Sequence, residues 1–146
     1  MRDFGRCEER VCHPTIVREE KSRKFVIRNP GRVAVRVIRI DGCVITEGPR
    51  CDWLFVPAGD PTEIYVELKG SAVRRGIEQI EATIPQVSED ARGLVKHCYI
   101  VSRRVPKVQT DVQLAKAHFR QAYSAVLTVK SREAEHDLSA TRPKKR

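Results

Sequence analysis

The hydrophobic period changes along this chain, and that change limits the fold more than any other feature. Val33, Val35 and Val37 alternate with Arg32, Ala34 and Arg36, the pattern of a half-buried strand with a partly basic outer face. Val73, Ile77, Ile80 and Ile84 instead recur at helical spacing, as a single buried stripe does. The first half therefore reads as strands and the second half as helices alternating with strands. A helix between two strands of one sheet requires a crossover, so the expected fold class is α/β, with a central mixed β-sheet flanked by helices.

The finer reading follows the punctuation. Strands are expected over Lys24 to Arg28, over the valine run, at Cys43 to Ile45, from Cys51 to Val56 and from Ile64 to Lys69. Asn29-Pro30-Gly31, Asp41-Gly42 and Pro57-Ala58-Gly59-Asp60-Pro61 supply the turns. At Ile38-Arg39-Ile40 the alternation inverts, so the end of that strand is expected to be covered on both sides or bulged. A short helix is expected from Thr15 to Lys21. Ser71 is expected to cap the striped helix and Pro85 to end it. Strands at His97 to Val101 and Ala125 to Val129 enclose a second helix from Asp111 to Tyr123. The chain reads as one domain over residues 1–138 with a basic tail, 139–146.

Composition narrows the function classes. With 28 Lys and Arg against 19 Asp and Glu, the net charge is +9, which favours polyanionic partners without specifying a sequence. No apolar run approaches the ~18 residues of a membrane span, and the N-terminus leads into charge, so a cytoplasmic protein is expected. The five cysteines are Cys7, Cys12, Cys43, Cys51 and Cys98; their odd number favours reduced, mostly buried thiols. Cys7, Cys12 and His13 suggest a zinc site, but no second ligand pair lies at finger spacing. His97 and Cys98 are strand neighbours and point to opposite faces, which excludes direct cooperation between them. Trp53 reads as core or as a wall of a substrate site.

The chemistry concentrates in Ile64-Tyr65-Val66-Glu67-Leu68-Lys69. Alternation sends Ile64, Val66 and Leu68 to one face and Tyr65, Glu67 and Lys69 to the other, with Glu67 and Lys69 about 6.6–6.8 Å apart at Cα. Asp52 opens the preceding strand and can supply a second carboxylate across a hairpin. Two carboxylates suit a hard, oxygen-seeking cation such as Mg²⁺ or Mn²⁺. A lysine beside them suits the extra negative charge of a phosphoryl transition state. Arg74 and Arg75, at the start of the following helix, are candidate phosphate contacts, and Arg32 and Arg36 are weaker ones, because two charges on a strand face more often only meet solvent.

Asp52, followed by Glu67-Leu68-Lys69 at the end of the next strand, resembles the PD-(D/E)xK nuclease superfamily, whose fold is restriction-endonuclease-like. The resemblance covers about two-thirds of the chain and includes the order helix, three strands, helix, strand. It implies that Asp52 and Glu67 are metal ligands, that Lys69 is the catalytic lysine, and that Gln79 contacts substrate or the reacting water. It further implies an endonuclease hydrolysing DNA phosphodiester bonds with Mg²⁺ or Mn²⁺, as a homodimer, in repair, restriction or phage defence. Two departures stand out. Cys51 occupies the place where a proline often precedes the first acid, and the first-helix glutamate has no single counterpart among Glu19, Glu20 and Glu47. The alternative is an inactive nuclease-fold module that binds nucleic acid or a protein partner.

Overall fold

In a computed structural model, residues 2–68, 72–104 and 110–138 are described. A six-stranded mixed sheet divides the molecule. Two helices cover one of its faces and a three-stranded sheet covers the other, so the α/β class with a helix-flanked mixed sheet holds, with both helices on the same side.

In chain order, a short 3₁₀ turn (Gly5–Cys7) precedes β1 (Glu8–Val11), β2 (Thr15–Glu20), β3 (Arg23–Arg28), β4 (Val35–Arg39), β5 (Trp53–Pro57) and β6 (Thr62–Glu67). Then come α1 (Val73–Val87), β7 (Val95–Ser102), α2 (Thr110–Tyr123), β8 (Ala125–Ser131) and β9 (Glu133–Asp137). The large sheet runs β1-β4-β5-β6-β7-β8 and the small one β2-β3-β9. Strands β4, β5 and β6 form an antiparallel meander, and β7 and β8 then add in parallel through the two helical crossovers. Connections of that length are what parallel strands need.

The pleat assigns the two cores. Ile38, Leu54, Tyr65, Cys98 and Leu127 line up across five strands and meet Ile80 and Ile84 of α1 and Val112 and Phe119 of α2. On the opposite face Val37, Phe55, Ile64 and Val66 pack against Phe25 and Ile27 of the small sheet. Coverage on both faces explains why Val35, Arg36, Val37 and Ile38 are buried in succession, as the broken alternation at Ile38 suggested.

Several expectations need correction. Thr15 to Lys21 is not helical. Thr15–Glu20 is strand β2, paired residue by residue with β3, and its β-branched Thr15, Ile16 and Val17 suit a half-buried pleat. Cys43 to Ile45 is not a strand but part of a tight turn closed by Ile45 N–H donating to Ile40 O at 3.0 Å. Pro85 lies inside α1, which runs on to Val87; a proline in the last turn removes only one helical hydrogen bond. Strand β9 was not foreseen, because Glu133-Ala134-Glu135-His136-Asp137 is polar apart from Ala134; Ala134 and His136 are its buried positions.

The thiols also depart from expectation. Cys7 and Cys43 form a disulfide with a Cα–Cα distance of 5.7 Å. They lie 36 residues apart in sequence, and the pairing of β1 with β4 brings the segments together. Cys7 is thereby lost to the suggested zinc site, while Cys51 and Cys98 are free and buried and Cys12 is free and exposed. Among the described residues, no helix is long and apolar enough to cross a membrane. Ser71 and the basic tail lie outside the described residues.

Candidate active site

Asp52 and Glu67 lie at the end of the sheet where the meander turns into its parallel part. Strands β5 and β6 pair as the hairpin required, with Trp53 opposite Val66. The Asp52 N–H also donates to Val66 O, at 3.1 Å. Asp52, just before β5, and Trp53, its first residue, therefore both meet Val66 of β6. The Asp52 carboxylate accepts the Leu68 N–H at 2.6 Å, so it lies against the peptide that follows Glu67.

Both acids are buried, Asp52 at 2% and Glu67 at 1% exposure. The solvated strand face that Glu67 could have occupied is thus ruled out, because that face lies beneath the helices. The Cys51 thiol lies within electrostatic reach of both acids. Burial pushes it well above the usual thiol range, and the charge of Glu67, then that of Asp52, pushes the same way. Lys69, the expected catalytic lysine, lies outside the described residues.

Helix α1 holds this corner in place. Gln79 Nε2 donates to Arg50 O at 2.9 Å, and Thr83 Oγ1 accepts the Cys51 N–H at 2.9 Å. Gln79 thus packs beside the segment that holds Asp52, and its amide nitrogen is spent on the backbone that leads into Asp52. Its Oε1 is buried without a hydrogen bond among the described residues. Thr83 was not singled out from sequence, although its spacing of four from Gln79 places both on one helical face.

The basic residues sort differently from expectation. Arg74 is exposed and ion-paired with Asp111 of α2. Arg75 is exposed on the first turn of α1. Arg36 is no phosphate contact: it is 8% exposed, and its guanidinium donates to Glu8 at 2.7 and 2.8 Å. Arg32 lies outside β4 with a positive φ of 51°. Sequence reading passed over Arg39, Arg103, Arg104 and Lys130, all exposed near the C-terminal ends of β4, β7 and β8. In-register pairing puts those ends beside Glu67, which pairs with Ile100, itself paired with Val129. The signal available in the sequence was a basic residue at the close of each strand.

Two other features resolve plainly. Trp53 is half-buried against Phe55, with the Arg18 guanidinium 4.9 Å from its ring centre. His97 and Cys98 do point apart: Cys98 enters the helical core, while His97 meets His136 of β9.

The donor set suits a hard cation in type, since Mg²⁺ takes one or two carboxylates and keeps waters. Among the described residues, no group of three His, Cys, Asp or Glu side chains is placed to hold a metal. The helix that opens the nuclease core is also missing there, with Glu19 and Glu20 on strand β2 instead. No family model matches the chain, and no curated protein or solved structure matches it either.

Proposed function

We propose that this protein is a metal-dependent phosphodiesterase that hydrolyses DNA, with Asp52 and Glu67 as the acidic pair and Lys69 as the assisting cation. One observation carries the proposal: the Asp52 carboxylate is seated on the peptide after Glu67, at the end of a meander that continues through α1 into a parallel strand. Bound Mg²⁺ or Mn²⁺ would supply Lewis-acid polarisation of the phosphoryl group and a water of lowered pKa. The chain's own part is placement. Gln79 and Thr83 fix the backbone entering Asp52, and Arg39, Arg75, Arg103, Arg104 and Lys130 offer a basic rim for a phosphate backbone. On a duplex, a chain of this size would act as a homodimer, with one site per strand. A cytoplasmic location belongs to this reading, and the Cys7–Cys43 bond would then have to persist against reducing thiol pools.

The burial of both acids favours a second reading, an inactive nuclease-fold module that binds nucleic acid or a protein partner. Plasmid cleavage in Mg²⁺, Mn²⁺ and EDTA separates the two. The enzyme reading expects nicking that EDTA abolishes and that Glu67→Gln and Lys69→Ala both lose. Folded protein that binds DNA and never cuts it in either metal would overturn that reading in favour of the module.

A further inference from the structure

We infer that the chain carries a binding site for a small organic anion with an apolar body, at the end of the sheet opposite Asp52 and Glu67. A cavity of about 480 Å³ opens there, within the range of roughly 300–1,000 Å³ typical of small-molecule sites. It exists because α1 stops at Val87 and leaves the edge of the helical face uncovered. Its floor is apolar, with Leu54, Val56, Val87 and Leu94 among the lining residues and Phe4 closing one side.

The charges around it select the ligand's sign. Strand pairing sets Arg10 beside Arg36, and Arg36 beside Val56. Arg36 is already committed to Glu8 and to Arg2 O. Two of the three acids of the wall, Glu63 and Glu89, are occupied as well, and the third, Asp60, acts electrostatically on His97 and His136. Glu63 Oε1 accepts the Tyr65 hydroxyl at 2.8 Å and the Ser88 hydroxyl at 2.7 Å, and its Oε2 accepts the Glu89 N–H at 2.9 Å. The Glu89 carboxylate in turn accepts the Arg2 N–H. Arg10 is left exposed at the rim, with no salt bridge among the described residues. An apolar floor beside an exposed guanidinium, which among the described residues only the charge of Glu8 addresses, suits an aromatic or acyl group that bears a carboxylate, sulfonate or phosphate; such an anion can pair with arginine in a forked geometry.

Two fluorescent probes of nearly the same shape test this: 8-anilino-1-naphthalenesulfonate, which is anionic, and N-phenyl-1-naphthylamine, which lacks the sulfonate. The full chain is expected to bind the anionic probe saturably, one per chain, with amide shifts centred on Val56, Val87 and Leu94. Arg10→Gln should weaken the anionic probe about tenfold and leave the neutral one unchanged. Ala34→Phe, at a small residue of the cavity wall, should block both. If that variant does not fold, the different response of the two probes to Arg10→Gln still decides the matter. No saturable binding, equal effects of Arg10→Gln on both probes, or shifts clustered elsewhere would overturn the inference. Because the two sites lie at opposite ends of the sheet, none of these outcomes bears on DNA cleavage.

Discussion

The Asp52 carboxylate accepts the backbone N–H of Leu68 at 2.6 Å, and this bond ties the residue before β5 to the residue that follows β6. Asp52 therefore has a structural task whatever chemistry it serves. Asp52→Ala would leave a buried N–H unsatisfied, at a cost of about 1–3 kcal/mol. Asp52→Asn keeps an acceptor oxygen of the same shape and should cost less. Urea denaturation of the two variants beside a cleavage assay separates the roles: the expected result is that Asp52→Asn folds nearly as well as the parent but loses metal-dependent cleavage.

His136 should make the protein sensitive to mild acid. Its ring lies between the two sheets at 5% exposure, with Nδ1 2.6 Å from the Tyr99 hydroxyl, and its Nε2 is buried without a hydrogen bond among the described residues. Burial, reinforced by His97, lowers its pKa from 6.5 to about 4, while Asp60 and Asp137 oppose the shift. A depressed histidine pKa means that the folded state resists protonation. Its contribution to stability is complete above about 6.5 and is lost as the pH falls toward 4, at most on the order of 3 kcal/mol. Unfolding free energies measured between pH 7.5 and 4 should fall more steeply in the parent than in His136→Gln; parallel curves would refute the prediction.

The Glu8–Arg36 pair bridges β1 and β4, with side-chain exposures of only 13% and 9%. Glu8→Gln strands a buried guanidinium and should destabilise by about 3 kcal/mol. Arg36→Leu in a Glu8→Gln background should recover part of that loss, because no buried charge then remains. The hydrogen bond from Arg36 depresses the Glu8 carboxyl, so the pair's stabilisation is present above the ordinary glutamate range and disappears as the pH falls below it. A double-mutant cycle by chemical denaturation reads the coupling directly.

Reduction of Cys7–Cys43 should loosen the attachment of β1 and the 41–45 turn. The bond spans 36 residues, for which the loop-entropy model gives about 4 kcal/mol as an upper figure. Dithiothreitol should lower the urea midpoint, and the Cys7→Ala, Cys43→Ala double variant should match the reduced parent. Equal midpoints for oxidised and reduced protein would show that the turn is held by its own hydrogen bonds and by the Arg50–Asp41 pair.

The sequence by itself determined the elements whose period is strong. The stripe Val73, Ile77, Ile80 and Ile84 specifies α1, the valines specify β4, and the run of alternating helices and strands specifies a mixed sheet. These patterns reflect which side of a segment loses water, and that is local information. The pairing of β5 with β6 was legible for the same reason, since a short loop between two strands implies a hairpin. Tertiary structure decided what depends on contacts distant in sequence. Thr15–Glu20 became a strand because β3 was there to pair with it. The polar segment Glu133–Asp137 became β9 because β3 offered an edge on its other side. Arg36 left the solvent because Glu8, 28 residues away in sequence, reaches it diagonally from β1. Cys7 found Cys43 only once β1 lay on β4. The burial of the acidic pair belongs to the same class: alternation told which face Glu67 takes, but only the packing of the helices over that face removed it from water.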